Sequence, residues 1–120
     1  KNNSTTNRVT FVRGLNEDAC FGLNTAGATH SVLDVPLHTS IGLDSTSASA
    51  TGASQARYEV SRANNRFNLE AFYSGYPGLG LHFLTPLESS DGTITATWFG
   101  DLGGAAGAPP MPGFTYMGYH

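Results

Sequence analysis

The sequence predicts an all-β domain, a small antiparallel β-sandwich or barrel of about eight or nine short strands, and three observations predict it. Strand-length apolar runs recur along the chain with Gly, Asn, Asp and Pro between them, the spacing of sandwiches and barrels. No segment sustains a 3.6-residue apolar period. Glu and Lys, on which exposed helices rest, are scarce, and Lys1 is the only lysine.

At 120 residues the chain has the size of one domain, and its 39% hydrophobic fraction suffices for a core without staples. Charged residues make up only 12%, so solubility rests on Ser, Thr, Asn and Gly. Residues 1–7 (KNNSTTN) are all polar and read as an arm or linker, leaving 8–120 as a single β domain. The arm holds two overlapping sequons, at Asn2 and Asn3, which matter only in a secreted chain. Strands are expected near 8–13, 19–24, 30–35, 38–43, 57–63, 66–73, 79–85, 93–99 and 114–119.

Residues 44–56 (DSTSASATGASQA) carry no apolar anchor and read as a long outer loop whose removal spares folding. Asn64-Asn65 separates two alternating runs, and Asn tolerates positive φ, so a two-residue hairpin turn is expected there. That register pairs Val60 with Leu69 and Tyr58 with Ala71, puts Tyr58, Val60, Phe67, Leu69, Ala71 and Tyr73 on a core face, and sets Glu59 opposite Glu70. A second hairpin is expected at Asp91-Gly92, with Ile94, Ala96 and Trp98 on one face of its outgoing strand. Pro86 has no N–H for a ladder, so the incoming strand should be an edge or bulged. Residues 103–113 (GGAAGAPPMPG) read as an extended surface crossing that delivers Phe114, Tyr116, Met117 and Tyr119 to a final strand.

Net charge is −3 and the arginines are scattered, so no basic patch for nucleic acid emerges. No apolar run approaches the roughly 18 residues of a membrane helix, and no signal-peptide pattern opens the chain. Cys20 stands alone and reads as a small buried hydrophobe. The stretch Gly52-Ala53-Ser54-Gln55-Ala56 lacks the second glycine and the context of a nucleophile elbow. The glycines from Gly75 to Gly80 lack the Lys and helix start of a phosphate loop. No catalytic or cofactor-binding residue is assigned, and the chain reads as non-enzymatic.

Metal ligation stays open. His30, Asp34 and His38 are four apart, but in a strand four residues span ~13 Å, too far for one chelate. Oxygen ligands for a divalent cation such as Ca²⁺ are available among Asn16, Glu17 and Asp18, or among Glu88, Asp91 and Asp101, most naturally at a subunit contact. Trp98, Tyr73, Tyr76, Tyr116 and Tyr119 are candidates for stacking on sugars, although Trp98 shares a face with Ile94 and Ala96 and reads as core.

The polar arm at 1–7, the stretch FNLEAFYSGYPGLGLHFLTPLE (67–88) and GTITATWFGDLGG (92–104) together give a layout that resembles the protruding domains of small icosahedral RNA-virus capsid proteins, in particular those of invertebrate nodaviruses. The resemblance implies a β-rich spike on the virion surface. Such a spike dimerises with itself, presents loops to a host cell-surface receptor or glycan, inserts into no membrane, and in some cases holds a metal ion at the dimer contact. The alternative is an extracellular carbohydrate-binding module or lectin-like domain. A small β-barrel enzyme or ligand carrier, and a secreted effector or adhesin, are further readings.

Overall fold

The computed structural model describes residues 8–59, 63–90, 96–99 and 113–118. Among them are eight strands and no helix: β1 (Val9–Arg13), β2 (Cys20–His30), β3 (Pro36–Leu43), β4 (Ala56–Glu59), β5 (Phe67–Gly75), β6 (Gly80–Ser90), β7 (Ala96–Phe99) and β8 (Phe114–Gly118). All pairings between strands are antiparallel. A first sheet runs β1-β6-β3-β4; a second runs β5-β2-β7, with β8 also on β2. β2 is the spine of the second sheet. β5 pairs with it from Cys20 to Ala28, while the other flank is shared end to end by β8, at Cys20–Asn24, and β7, at Gly27–His30.

The two sheets close on one another because each strand alternates. In β5, Leu69, Ala71 and Tyr73 are buried, whereas Asn68, Glu70 and Phe72 are exposed. One core cluster joins Phe11, Ile41 and Leu84 of the first sheet to Cys20, Ala71 and Tyr73 of the second. The other centres on Ala28, Leu37 and Leu69, with Tyr58, Phe67 and Trp98 packed against it. Leu37, Ile41 and Leu84 are fully buried, each contributing about 1.5–3 kcal/mol. A polar layer separates the clusters: Asn24 Nδ2 donates to Thr39 Oγ1 (2.7 Å), whose hydroxyl donates to the Leu87 carbonyl (3.0 Å). These buried polar groups are therefore satisfied within the sandwich.

The expected hairpins are not there. β4 pairs with β3 and β5 with β2, so the strands flanking Asn64-Asn65 belong to different sheets. A type I′ turn needs positive φ at both central residues, and only Asn64 (59°) adopts it. The turn is instead pinned to the end of β2: Asn64 N donates to the His30 carbonyl (2.8 Å), and Thr29 Oγ1 to the Asn65 carbonyl (2.9 Å). The face assignment nevertheless holds, with Tyr58 and Phe67 stacked across the sandwich at 4.1 Å; Val60 lies outside the described residues. Glu59 therefore does not face Glu70: it is ion-paired with Arg57 on its own strand, while Glu70 stands opposite Thr25. β6 and β7 likewise lie in different sheets, which rules out a hairpin between them; Asp91, Gly92 and Ile94 lie outside the described residues.

Residues 30–35 form a corner rather than a strand. β2 ends at His30, Asp34 takes a positive φ (58°), and β3 starts at Pro36 in the other sheet. Pro86 fits its position. β1 pairs with β6 only up to Leu84, so at Pro86 the strand has β3 on one side and an edge on the other.

Candidate functional site

Residues 44–55 shape the most distinctive surface. They are not a free outer tip. Ala50 N donates to the Ile41 carbonyl (2.9 Å), where β3 runs beyond the end of β4. Ala53 bridges to Tyr73; Ser54 N donates to the Phe72 carbonyl (2.6 Å) and Ser54 Oγ accepts from Phe72 N (2.7 Å). The segment thus satisfies one edge in each sheet and seals the side of the sandwich. Asp44 begins it, with φ 52°. Its backbone N donates to the Phe83 carbonyl and its Oδ1 accepts from Phe83 N, both at 2.9 Å.

Between this segment and the outward face of β3 and β6 lies a cleft of about 280 Å³. His38 and Ser40 come from β3, Ser89 from β6, and Thr46, Ser47 and Gln55 from the segment, with Leu87 on the floor. The register sets His38 opposite Ser89 and Ser40 opposite Leu87, so these four share the outward face. Thr39 and Glu88 also border the cleft but face each other on the inward side. Burial raises the Glu88 carboxyl above the usual carboxylate range. The walls are tied: Ser40 Oγ donates to the Ser54 carbonyl (3.4 Å), Gln55 Nε2 to Ser49 Oγ (3.3 Å), and Ser45 Oγ accepts from the backbone N–H groups of Ser47 and Ala48.

A second polar group is buried around Cys20. In the sheet, Cys20 is flanked by Gly75 on β5 and Gly118 on β8. Tyr73 and Tyr116, each two residues before its glycine, lay their rings over it, so that a Cβ at either glycine would overlap the tyrosine hydroxyl. The Tyr73 hydroxyl lies beside the Cys20 thiol and the Arg13 charge acts on both Cys20 and Tyr116, while the Tyr116 hydroxyl is buried with no hydrogen-bond partner among the described residues. Burial pushes the Cys20 thiol above its ordinary value and, with Cys20 adding to it, lifts Tyr73 to about 12. Cys20 is thus the buried, thiolate-poor side chain its isolation suggested. The repeated Tyr-x-Gly spacing was the sequence signal for this cluster.

His82 Nδ1 donates to Asp44 Oδ2 (2.7 Å), an orientation that resembles half of a triad. Its Nε2 is buried and makes no hydrogen bond among the described residues. The other sequence candidates scatter. His30 is buried, with Nδ1 engaged by the backbone of Val32; Asp34 is exposed in the corner; His38 faces outward on the other sheet. Asn16, Glu17 and Asp18 lie on the β1–β2 connection, and Asp91 and Asp101 fall outside the described residues. Among the described residues, no group of three or more His, Cys, Asp or Glu could hold a metal ion. Of the aromatics, Tyr73 is core, Trp98 and Tyr116 are half-buried, Tyr76 is exposed, and Tyr119 lies outside the described residues.

The outer face of the second sheet carries an apolar patch at one end, with Glu70 and Asn68 further along β5. Leu23 pairs with Phe72 and Phe21 with Met117; the Phe21 and Phe72 rings lie 6.2 Å apart. Leu23 is 42%, Phe72 45% and Met117 64% exposed, a clustering that single surface hydrophobes do not show. Comparison with protein-family models, with curated proteins and with solved structures finds no match to this chain.

Proposed function

We propose that the chain is a non-enzymatic assembly and attachment domain, the protruding domain of a small icosahedral RNA-virus capsid protein, which dimerises on the particle surface and binds a host receptor. The observation that supports this reading is the patch Phe21, Leu23, Phe72 and Met117 on the outside of the second sheet. A second copy is the occupant that suits it. Around the patch on that face Ser74, Thr115 and Thr25 are uncharged, and Glu70, two residues from Phe72, is its acidic neighbour, so a two-fold axis at the Phe21 end of the patch keeps the two carboxylates apart. Four residues make a small centre against the roughly 800 Å² per partner of a standard interface, so the isolated domain should associate weakly. A divalent cation at the subunit contact belongs to the same proposal.

Sedimentation at rising concentration tests it. A monomer–dimer equilibrium is expected, and Phe72→Ser, on an exposed position, should abolish it while leaving the monomer folded. A strict monomer at high concentration overturns the reading. The second reading, an extracellular carbohydrate-binding module, is favoured by the hydroxyl-lined cleft on the other sheet.

A further inference from the structure

We infer that the cleft between β3, β6 and residues 44–55 binds a small neutral sugar, with His38, Thr46, Ser47 and Ser89 as its hydrogen-bonding groups and Leu87 beneath the ring. The inference deepens the attachment reading and rests on it for the source of the sugar.

Size comes first. A volume of about 280 Å³ lies at the small end of ligand sites and suits one sugar ring, or two in part. Chemistry comes next. Among the described residues, the side chains of His38, Thr46, Ser47 and Ser89 make no hydrogen bond, so their side-chain donors and acceptors are open to a ligand. Ser and Thr hydroxyls both donate and accept, as sugar hydroxyls do, so each can adapt to either role. Gln55, whose amide nitrogen is held by Ser49, keeps its carbonyl oxygen for a further donor.

Charge then narrows the class. The nearest ions on the same face are Arg57, directly opposite His38, and Glu59, and these two neutralise each other. Glu88 turns its side chain inward with Thr39, away from the outward face. Among the described residues, no unpaired charged side chain therefore points out into the cleft to select a phosphate, a sulfate or an ammonium group. Leu87 offers an apolar contact to the C–H face of a ring, but among the described residues no Phe, Tyr or Trp side chain lines the cleft. Affinity should accordingly be weak, with dissociation constants on the order of millimolar for a monosaccharide. The walls are already bonded into both sheets, so little ordering opposes binding.

The test is an NMR titration of the whole chain with glucose, galactose, mannose, fucose and N-acetylglucosamine, beside N-acetylneuraminate and glucosamine as charged probes. At least one neutral sugar should give saturable shifts of the His38, Gln55 and Ser89 amides. His38→Ala and Ser47→Ala should each weaken it about threefold to tenfold, with spectral dispersion reporting that the fold is intact. Because Ser47 is exposed, its variant keeps the test decisive if His38→Ala disturbs the sheet. The inference is overturned if no neutral sugar produces saturable shifts by ~100 mM, if only a charged probe binds, or if the shifts map elsewhere. Phe72→Ser should leave the titration unchanged, so loss of dimerisation and loss of sugar binding are read separately.

Discussion

At the residue scale, the tightest constraint is at Cys20, where two glycines make room for two tyrosine rings. Gly75→Ala and Gly118→Ala each set a methyl against a ring that already lies across the strand. Each should cost about 1–3 kcal/mol, the usual penalty of overpacking, read by urea denaturation. Glu88 behaves in the opposite sense. Its folded pKa is raised by burial, so its favourable contribution is complete below the ordinary carboxylate range and is lost as pH rises through the folded value. Glu88→Gln should therefore raise the denaturation midpoint at pH 7 and change it little at pH 4. An unchanged midpoint at pH 7 would mean that the carboxylate is well solvated. Of these residues the sequence made Cys20 legible, because a lone cysteine in an apolar setting has few fates. The role of Glu88 was not legible, since which side of β6 it faces depends on the register with β3.

At the scale of elements, strand positions were readable and strand partners were not. Tyr58, Phe67, Leu69, Ala71 and Tyr73 alternate correctly for a hairpin, but two strands facing each other across a sandwich turn the same residues inward. Alternation fixes which face is buried; only the connection decides whether neighbours pair or stack. The corner at 31–34 was hidden for a related reason, because Val32 and Leu33 extend an apolar run while standing 39% and 49% exposed. Residues 44–55 were misread because small polar side chains carry no periodicity, yet their backbone can still close a sheet edge. Ser54→Ala tests this. It removes the acceptor for Phe72 N and should cost about 1–2 kcal/mol, whereas Ser47→Ala should be within about 0.5 kcal/mol of the parent in thermal unfolding.

At the scale of the molecule, the all-β class and the two-sheet sandwich follow from composition and from turn residues between short apolar runs. The cleft does not, because it exists only where the 44–55 segment crosses to the second sheet. The two proposed activities also fall on different layers, assembly on the outside of the second sheet and sugar on the outside of the first. In the proposed spike, subunit contacts are therefore kept while ligand preference drifts by substitutions at Thr46, Ser47 and Gln55.

The end-to-end sharing of one flank of β2 has a consequence in time. Residues 20–24 wait for Phe114–Gly118, about ninety positions later in the chain, and residues 27–30 wait for Ala96–Phe99. Until both arrive, half of that strand's backbone donors and acceptors face water and the tyrosine over Gly118 is missing from the core. Such long closures make for folding in milliseconds to seconds rather than microseconds. They also delay completion of the sandwich until β7 and β8 have been synthesised, so a growing chain exposes the edge of β2 until these two strands emerge from the ribosome.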